Sequence, residues 1–176
     1  MQVQIRKFLF EDIPLKIKWI NDPENNQFLH YDLPLEYGKT CAWFEKNKDR
    51  PDRYDAVILA DGQPVGLIGL LSIGSGGSGS SEGSKGSDGS KHSIGSDGSN
   101  EKKAEYYISM GETAYKGKGI AGKASELLLE YAFRRLRLGR VYLYTEIGNE
   151  KAQRLFGRIG FGQKGLAKEN LIYQGR

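Results

Sequence analysis

A chain of 176 residues with a net charge of +4 is one ordinary domain, large enough for a real core. Its 26 basic and 22 acidic residues are interleaved, which argues against nucleic-acid binding but leaves room for a basic patch facing a phosphorylated ligand. The single cysteine, Cys41, excludes an internal disulfide and suits a reducing cytoplasm; Met1 to Phe10 has no signal-peptide core, no apolar run is long enough to span a membrane, and His30 and His92 lack cysteine partners for zinc, so no metal is expected.

Gln2 to Phe8 alternates polar and apolar residues and predicts a half-buried strand. Glu11-Asp12-Ile13-Pro14 reads as a helix start, with acids and proline in the first turn. Ile13, Ile17 and Ile20 follow at helical spacing, and Asn21-Asp22-Pro23 closes that helix. Pro23 to Pro34 reads as a polar and aromatic loop, and Leu35 to Lys48 as a second helix carrying Tyr37, Cys41, Trp43 and Phe44. Arg53 to Ala60 reads as a strand, Asp61-Gly62 as a hairpin turn, and Val65 to Ile73 as a strand covered on both faces. Ala104 to Met110 is another strand. A long helix, about Gly119 to Leu136, carries an apolar stripe of Ile120, Ala124, Leu127, Leu128, Tyr131 and Leu136. Val141 to Glu146 is a strand, Asn149 to Arg158 a short helix, and a last strand-like segment ends near Tyr173. The order β-α-α-β-β-β-α-β-α-β predicts an α/β (α+β) domain spanning 1–176, with a mixed, mainly antiparallel sheet flanked by about four helices.

Gly74 to Ser99 is a different material, almost wholly glycine and serine. It interrupts what would otherwise be a short hairpin, and its composition cannot bury enough apolar surface to offset ordering entropy. The flexible loop expected over 74–100 reads as an engineered linker or loop replacement, with a natural disordered loop as the alternative. Lengthening a closed loop from about 4 to about 30 residues costs only about 1.8 kcal/mol, so the hairpin survives it.

Tyr115-Lys116-Gly117-Lys118-Gly119-Ile120-Ala121-Gly122 stands between a strand and the long helix. The first N–H groups of a helix lack intrahelical acceptors and carry the positive end of its dipole. Glycines let a phosphate approach the backbone, and Lys116, Lys118 and Lys123 add charge. The spacing is not that of a Walker loop, and the βαβ context of a dinucleotide site is missing.

Lys116-Gly117-Lys118-Gly119-Ile120-Ala121 resembles the Arg/Gln-x-x-Gly-x-Gly/Ala signature of the GNAT superfamily of acetyl-CoA-dependent N-acetyltransferases, with lysine at the first position. Asn149, Ala152, Leu155-Phe156 and Gly160-Phe161 resemble a second family feature, and the likeness covers the chain apart from the insert. The start, from Glu11 to Glu24, is similar to the branch holding spermidine, ribosomal-protein N-terminal and nucleotide-aminosugar acetyltransferases.

The resemblance implies that the coenzyme A pyrophosphate sits on Lys116, Gly117, Lys118, Gly119, Ile120, Ala121 and Gly122. It implies that Ser109, Met110 and Gly111 splay from the strand at Tyr142 to Glu146 and pair with the pantetheine arm like an added strand. A backbone N–H near Met110 would stabilise the thioester oxyanion, Asn149 would bond the pantetheine, and Phe156 would pack near the sulfur. A free alkylamine is mostly protonated at neutral pH, so a carboxylate or a water chain must take its proton; Glu105 and Glu146 are the candidates. His30, Tyr31 and Asp32 are candidates for reading the acceptor. An amino sugar is the preferred small amine acceptor, a polyamine the runner-up and a protein N-terminus third. A scaffold that only binds coenzyme A is the rival class, and a homodimer the expected self-association. Two departures stand out. Phe156 replaces a tyrosine that family members use as an acid, and the chain reads as ending before a last strand beside the fifth: either it is cut short there, which would leave a sheet edge open, or a partner supplies the strand, or the last segment pairs differently.

Overall fold

The computed structural model describes residues 1–75, 100–167 and 170–175. Most of the expected insert therefore lies outside the described residues. Its first two positions do not, and Gly74 and Ser75 close a longer strand than expected, β3.

The elements are β1 (Val3–Lys7), α1 (Ile13–Asn21), α2 (Pro23–Asn26), α3 (Tyr37–Asn47), β2 (Tyr54–Ala60), β3 (Gln63–Ser75), β4 (Lys102–Met110), α4 (Ile120–Glu130), β5 (Arg140–Glu146), α5 (Glu150–Arg158), β6 (Gly162–Ala167) and β7 (Asn170–Gly175). Among the described residues they build one sheet in the order β1-β2-β3-β4-β5-β7-β6. Every neighbouring pair is antiparallel except β4 and β5. That parallel pair needs a crossover, and α4 supplies it.

Packing follows the side-chain pattern. Ala56, Ile58 and Ala60 of β2 face one layer, while Val57 between them faces the other, and all four are fully buried. One core cluster joins that first face to α4 and α5 through Ile68, Leu70, Tyr106, Ile120, Ala124, Leu128 and Phe156. The other, with Phe8, Ile13, Trp19, Ile20, Val57 and Leu67, lies under α1 and α3. Full burial of side chains this size stabilises by about 1.5–3 kcal/mol each.

Two expectations need correction. The segment after Phe161 is not one strand but two, with Ala167 opposite Asn170. β7 pairs with β5 from Val141↔Gly175 to Glu146↔Asn170, so of the endings considered it is the last segment itself that lies beside the fifth strand. The loop after Pro23 begins as a helical turn, because the Asp22 side chain accepts from the Glu24 N–H and Pro23 stands where a missing N–H costs nothing.

Candidate active site

β4 and β5 are paired only at Lys103↔Arg140, Ala104↔Val141 and Glu105↔Tyr142. Beyond that point they diverge, β4 to Met110 and β5 to Glu146. The other edge of β4 is committed to β3 and that of β5 to β7, so the divergence opens a fork between them. A cleft of about 1130 Å³ fills it, walled by both strands, the start of α4, α5 and the segment from Glu24 to Tyr31.

The ladder with β3 decides which backbone groups face this cleft. Gly111 N–H donates to Val65 O at 2.8 Å, and Met110 stands opposite Gly66. In an antiparallel pair that pattern makes Met110↔Gly66 a non-hydrogen-bonded pair. The Met110 amide therefore points away from β3, into the fork, and by alternation so do those of Ile108 and Tyr106. Ser109 spends its backbone on Leu67 and offers the cleft only its side chain. Gly111 offers less: its N–H goes to Val65, its carbonyl accepts from Asn25 Nδ2 at 2.9 Å, and it lies outside the cleft lining. A Cβ at Gly111 would overlap the ring of Trp19, a buried side chain. The glycine there serves packing.

At the mouth, Gly117 and Gly119 both hold left-handed backbone, with φ of +75° and +76°. Gly119 is the N-cap of α4, and no side chain caps that end. The first α4 amides thus face the cleft beside Ile120, Ala121 and Gly122. Lys116 lines it too, with its ammonium on Asn25 Oδ1 at 2.6 Å, whereas Lys118 turns away over the Tyr115 ring at 5.5 Å. Asn149 also lines it and caps α5, its side-chain oxygen accepting from the Ala152 N–H at 3.2 Å. Phe156 is buried, edge-on to Tyr106 with ring centroids 5.9 Å apart.

The α1–α3 face of the fork is acidic and phenolic. Glu105 and Tyr107 of β4 and Tyr144 and Glu146 of β5 line it together with His30 and Tyr31. His30 Nε2 lies 2.9 Å from Glu146 Oε1, bringing an acceptor candidate and a base candidate into one pair. Asp32 is exposed and stands outside the cleft lining, so the structure does not join it to the others. Tyr107 donates to Asp55 at 2.6 Å, and Arg53 grips the same carboxylate at 2.8 Å and 3.0 Å. Burial alone would push the Asp55 carboxyl up, but Arg53 and Tyr107 hold it below its ordinary value. The Tyr144 phenol is pushed up to about 12, first by burial and then by the nearby Glu105 charge.

Sequence reasoning missed Glu24, Asn25, Tyr107, Tyr144 and Glu126. Tyr107 and Tyr144 were detectable in principle, because they share strand parity with Glu105 and Glu146. Among the described residues there is no cluster of three metal-binding side chains, and no helix long and apolar enough to cross a membrane.

A family profile described as "Acetyltransferase (GNAT) domain" matches residues 2–162. Curated relatives include the "Putative ribosomal N-acetyltransferase YdaF" of Bacillus subtilis (strain 168), 40% identical over 76 residues, which are 42% of this chain and 40% of that protein. The spermidine N(1)-acetyltransferase of Escherichia coli (strain K12) is 32% identical over 75 residues, 43% of this chain and 40% of the relative. The chain thus spans about two-fifths of the length of the curated relatives it matches. Among solved structures, a spermidine N-acetyltransferase from Vibrio cholerae in complex with CoA and spermine superposes with a TM-score of 0.73 at 19% identity, over 98% of this chain and 93% of that one. A domain from Methanocaldococcus jannaschii DSM 2661 gives 0.74 at 18% identity, over 99% and 97%. At these identities the structural likeness is one of fold.

Proposed function

Because the chain belongs to the GNAT acetyltransferase family, we propose that it transfers an acetyl group from acetyl-CoA to a primary amine of a polyamine. The observation that carries the acceptor class is a set of carboxylates along one side of the cleft: Glu24, Glu105 and Glu146 line it from α2, β4 and β5, whereas its basic side chains, Lys116, Lys123, Lys151, Arg154 and Arg158, come from the glycine turn, α4 and α5. Several carboxylates suit an acceptor with more than one ammonium group. The relatives named as spermidine acetyltransferases support the same reading. The amino sugar preferred on sequence grounds is the weaker reading, since one amine does not call for several carboxylates.

Acetyl-CoA supplies an activated thioester, and the residues present fit it. Its pyrophosphate would lie on the amides after Gly119, with Lys116 and Lys123 nearby. Its pantetheine arm would pair with the edge of β4 that faces the fork. The Ile108 N–H, the fork-facing amide nearer Glu105 (Met110 lies about 17 Å along the strand from it), would meet the carbonyl oxygen as it becomes an oxyanion, a donor fixed in place before reaction. Glu105 would accept the proton of the attacking amine. Glu146, steadied by His30, would hold a second ammonium of the acceptor. Self-association is part of this proposal; one Vibrio cholerae spermidine N-acetyltransferase of the same fold, at a TM-score of 0.69, is described as dodecameric.

Release of free coenzyme A thiol, followed across an amine panel, tests the reading. Spermidine is expected to give the highest kcat/KM, above glucosamine and a peptide N-terminus. A glucosamine rate above that of spermidine would contradict the acceptor class. Thermal stabilisation by acetyl-CoA with no thiol release from any amine would leave the scaffold reading in its place.

A further inference from the structure

The segment from Glu24 to Tyr31 lines the cleft, yet it lies outside the sheet. It crosses the open end of the fork as a strap. On the β4 side, Asn25 Nδ2 donates to Gly111 O at 2.9 Å, and Glu24 Oε2 accepts from Thr113 Oγ1 at 3.1 Å. On the β5 side, His30 Nε2 lies 2.9 Å from Glu146 Oε1, and the Phe28 ring stands beside Gly148, where an added Cβ would meet it at 3.6 Å.

Asn25 is the joint of this strap, because its amide group bonds three parts of the chain. Nδ2 donates to Trp19 O, near the end of α1, at 3.1 Å and to Gly111 O, just past β4. Oδ1 accepts from the Lys116 ammonium at 2.6 Å. Both amide protons go to backbone carbonyls, so the oxygen alone is left to meet a cation. Lys116 precedes the left-handed Gly117 and Gly119, the turn that presents the first α4 amides. An ammonium has three donors, and with one on Asn25 two can meet an anion seated on those amides. Lys116 is exposed, and a long exposed side chain that must be ordered on binding lowers affinity.

We infer that Asn25 is a positioning residue for both substrates. Through Lys116 it aims an ammonium at the coenzyme A pyrophosphate before the coenzyme arrives. Through Gly111 and Trp19 it fixes the strap, and with it the place of His30 beside Glu146, where the acceptor's second ammonium is held. The acceptor half of this rests on the acetyl-transfer reading above, whereas the coenzyme half needs only binding. No bond made or broken in the reaction touches Asn25, so its loss falls on binding and not on the chemical step.

The test compares Asn25→Ala, Lys116→Met and the double variant. Calorimetric titration of coenzyme A reads one half, and steady-state thiol release with spermidine reads the other. Lys116→Met is expected to raise the coenzyme A Kd about tenfold, the loss of one hydrogen bond to a charged group, with the spermidine KM within about twofold of wild type. Asn25→Ala is expected to raise the same Kd about fivefold, the penalty of ordering a loose lysine, and the spermidine KM about tenfold, with kcat within about threefold of wild type. In the double variant the Kd is expected to stay within about twofold of Lys116→Met alone, since Asn25 then has no ammonium to aim, while the spermidine KM stays raised. A general loosening of the fold would instead worsen both. Wild-type Kd in Lys116→Met, wild-type Kd or KM in Asn25→Ala, or effects on Kd that multiply in the double variant would each overturn the inference. Melting curves establish that each variant folds, and loss of the fold in Asn25→Ala would overturn it too, by making the residue structural. A wild-type protein that binds coenzyme A but releases no thiol with any amine sinks the acetyl-transfer reading and the acceptor half with it, while the calorimetric comparison still decides the coenzyme half.

Discussion

Glu105→Gln is expected to lower kcat by about 10²–10³-fold while the KM for acetyl-CoA stays within about threefold of wild type. An alkylammonium has a pKa near about 10, so at neutral pH the acceptor must surrender a proton before its nitrogen can attack. Glu105 is the carboxylate at the apex of the fork, on the last paired rung of β4 and β5. Glutamine keeps its size and removes its basicity, so the variant isolates chemistry from packing. Glu146→Gln makes a contrasting control. Glu146 is already paired with His30, so its loss is expected to fall on the acceptor's KM. Steady-state kinetics with spermidine and acetyl-CoA separates the two. Equal kcat in wild type and Glu105→Gln would move the proton to a water chain.

Gly119→Val is expected to weaken coenzyme A binding by about 10²-fold. Gly119 holds φ of +76° at the N-cap of α4, where a β-branched residue is a genuine outlier. An L-residue in left-handed backbone costs roughly 1–2 kcal/mol, so the turn would reshape rather than carry valine as it stands. Reshaping withdraws the first α4 amides. Hydrogen bonds to charged groups contribute about 1.5–3 kcal/mol each, so losing two is about 3 kcal/mol or more, a hundredfold in Kd. Calorimetric titration of coenzyme A measures it directly, and a melting curve shows whether the rest of the domain is intact. Wild-type affinity in a folded variant would remove the turn from the site.

Local signals made much of this structure legible in the sequence. The α4 stripe of Ile120, Ala124 and Leu128 was visible at helical spacing, and all three are buried. The almost unbroken apolar run of β3 marked a strand covered on both faces: Val65, Ile68 and Leu70 are buried in one core cluster and Leu67 in the other. The glycines at 117 and 119 marked the turn because left-handed backbone selects for them. The β6–β7 division escaped notice for the opposite reason. Between Ala167 and Asn170 the sequence has neither glycine nor proline, so no breaker divided the segment. The α2 turn did carry its signal, Asp22 before Pro23, but four residues are too few for periodicity to show.

The site was legible where it depends on backbone and opaque where it depends on pairing. Strand parity put Glu105 and Glu146 on usable positions. The partners came from far along the chain: His30 meets Glu146, Asn25 meets Lys116, and Asp55 takes the Tyr107 hydroxyl. A single sequence cannot register contacts of that kind. Gly111 shows the converse error. It sits inside the family pattern, yet the ladder to Val65 and the bond from Asn25 have already used its backbone.

The central claim is that coenzyme A lies in the fork between β4 and β5, with its pyrophosphate on the turn at Gly119. Amide hydrogen exchange with and without coenzyme A tests it most directly. The account predicts slowed exchange at Ile108 and Met110, whose N–H groups face the fork, and at the first amides of α4. Ser109 and Gly111, already bonded to β3, are predicted to change least. Coenzyme A that binds while Ile108, Met110 and the α4 start exchange as before would contradict it.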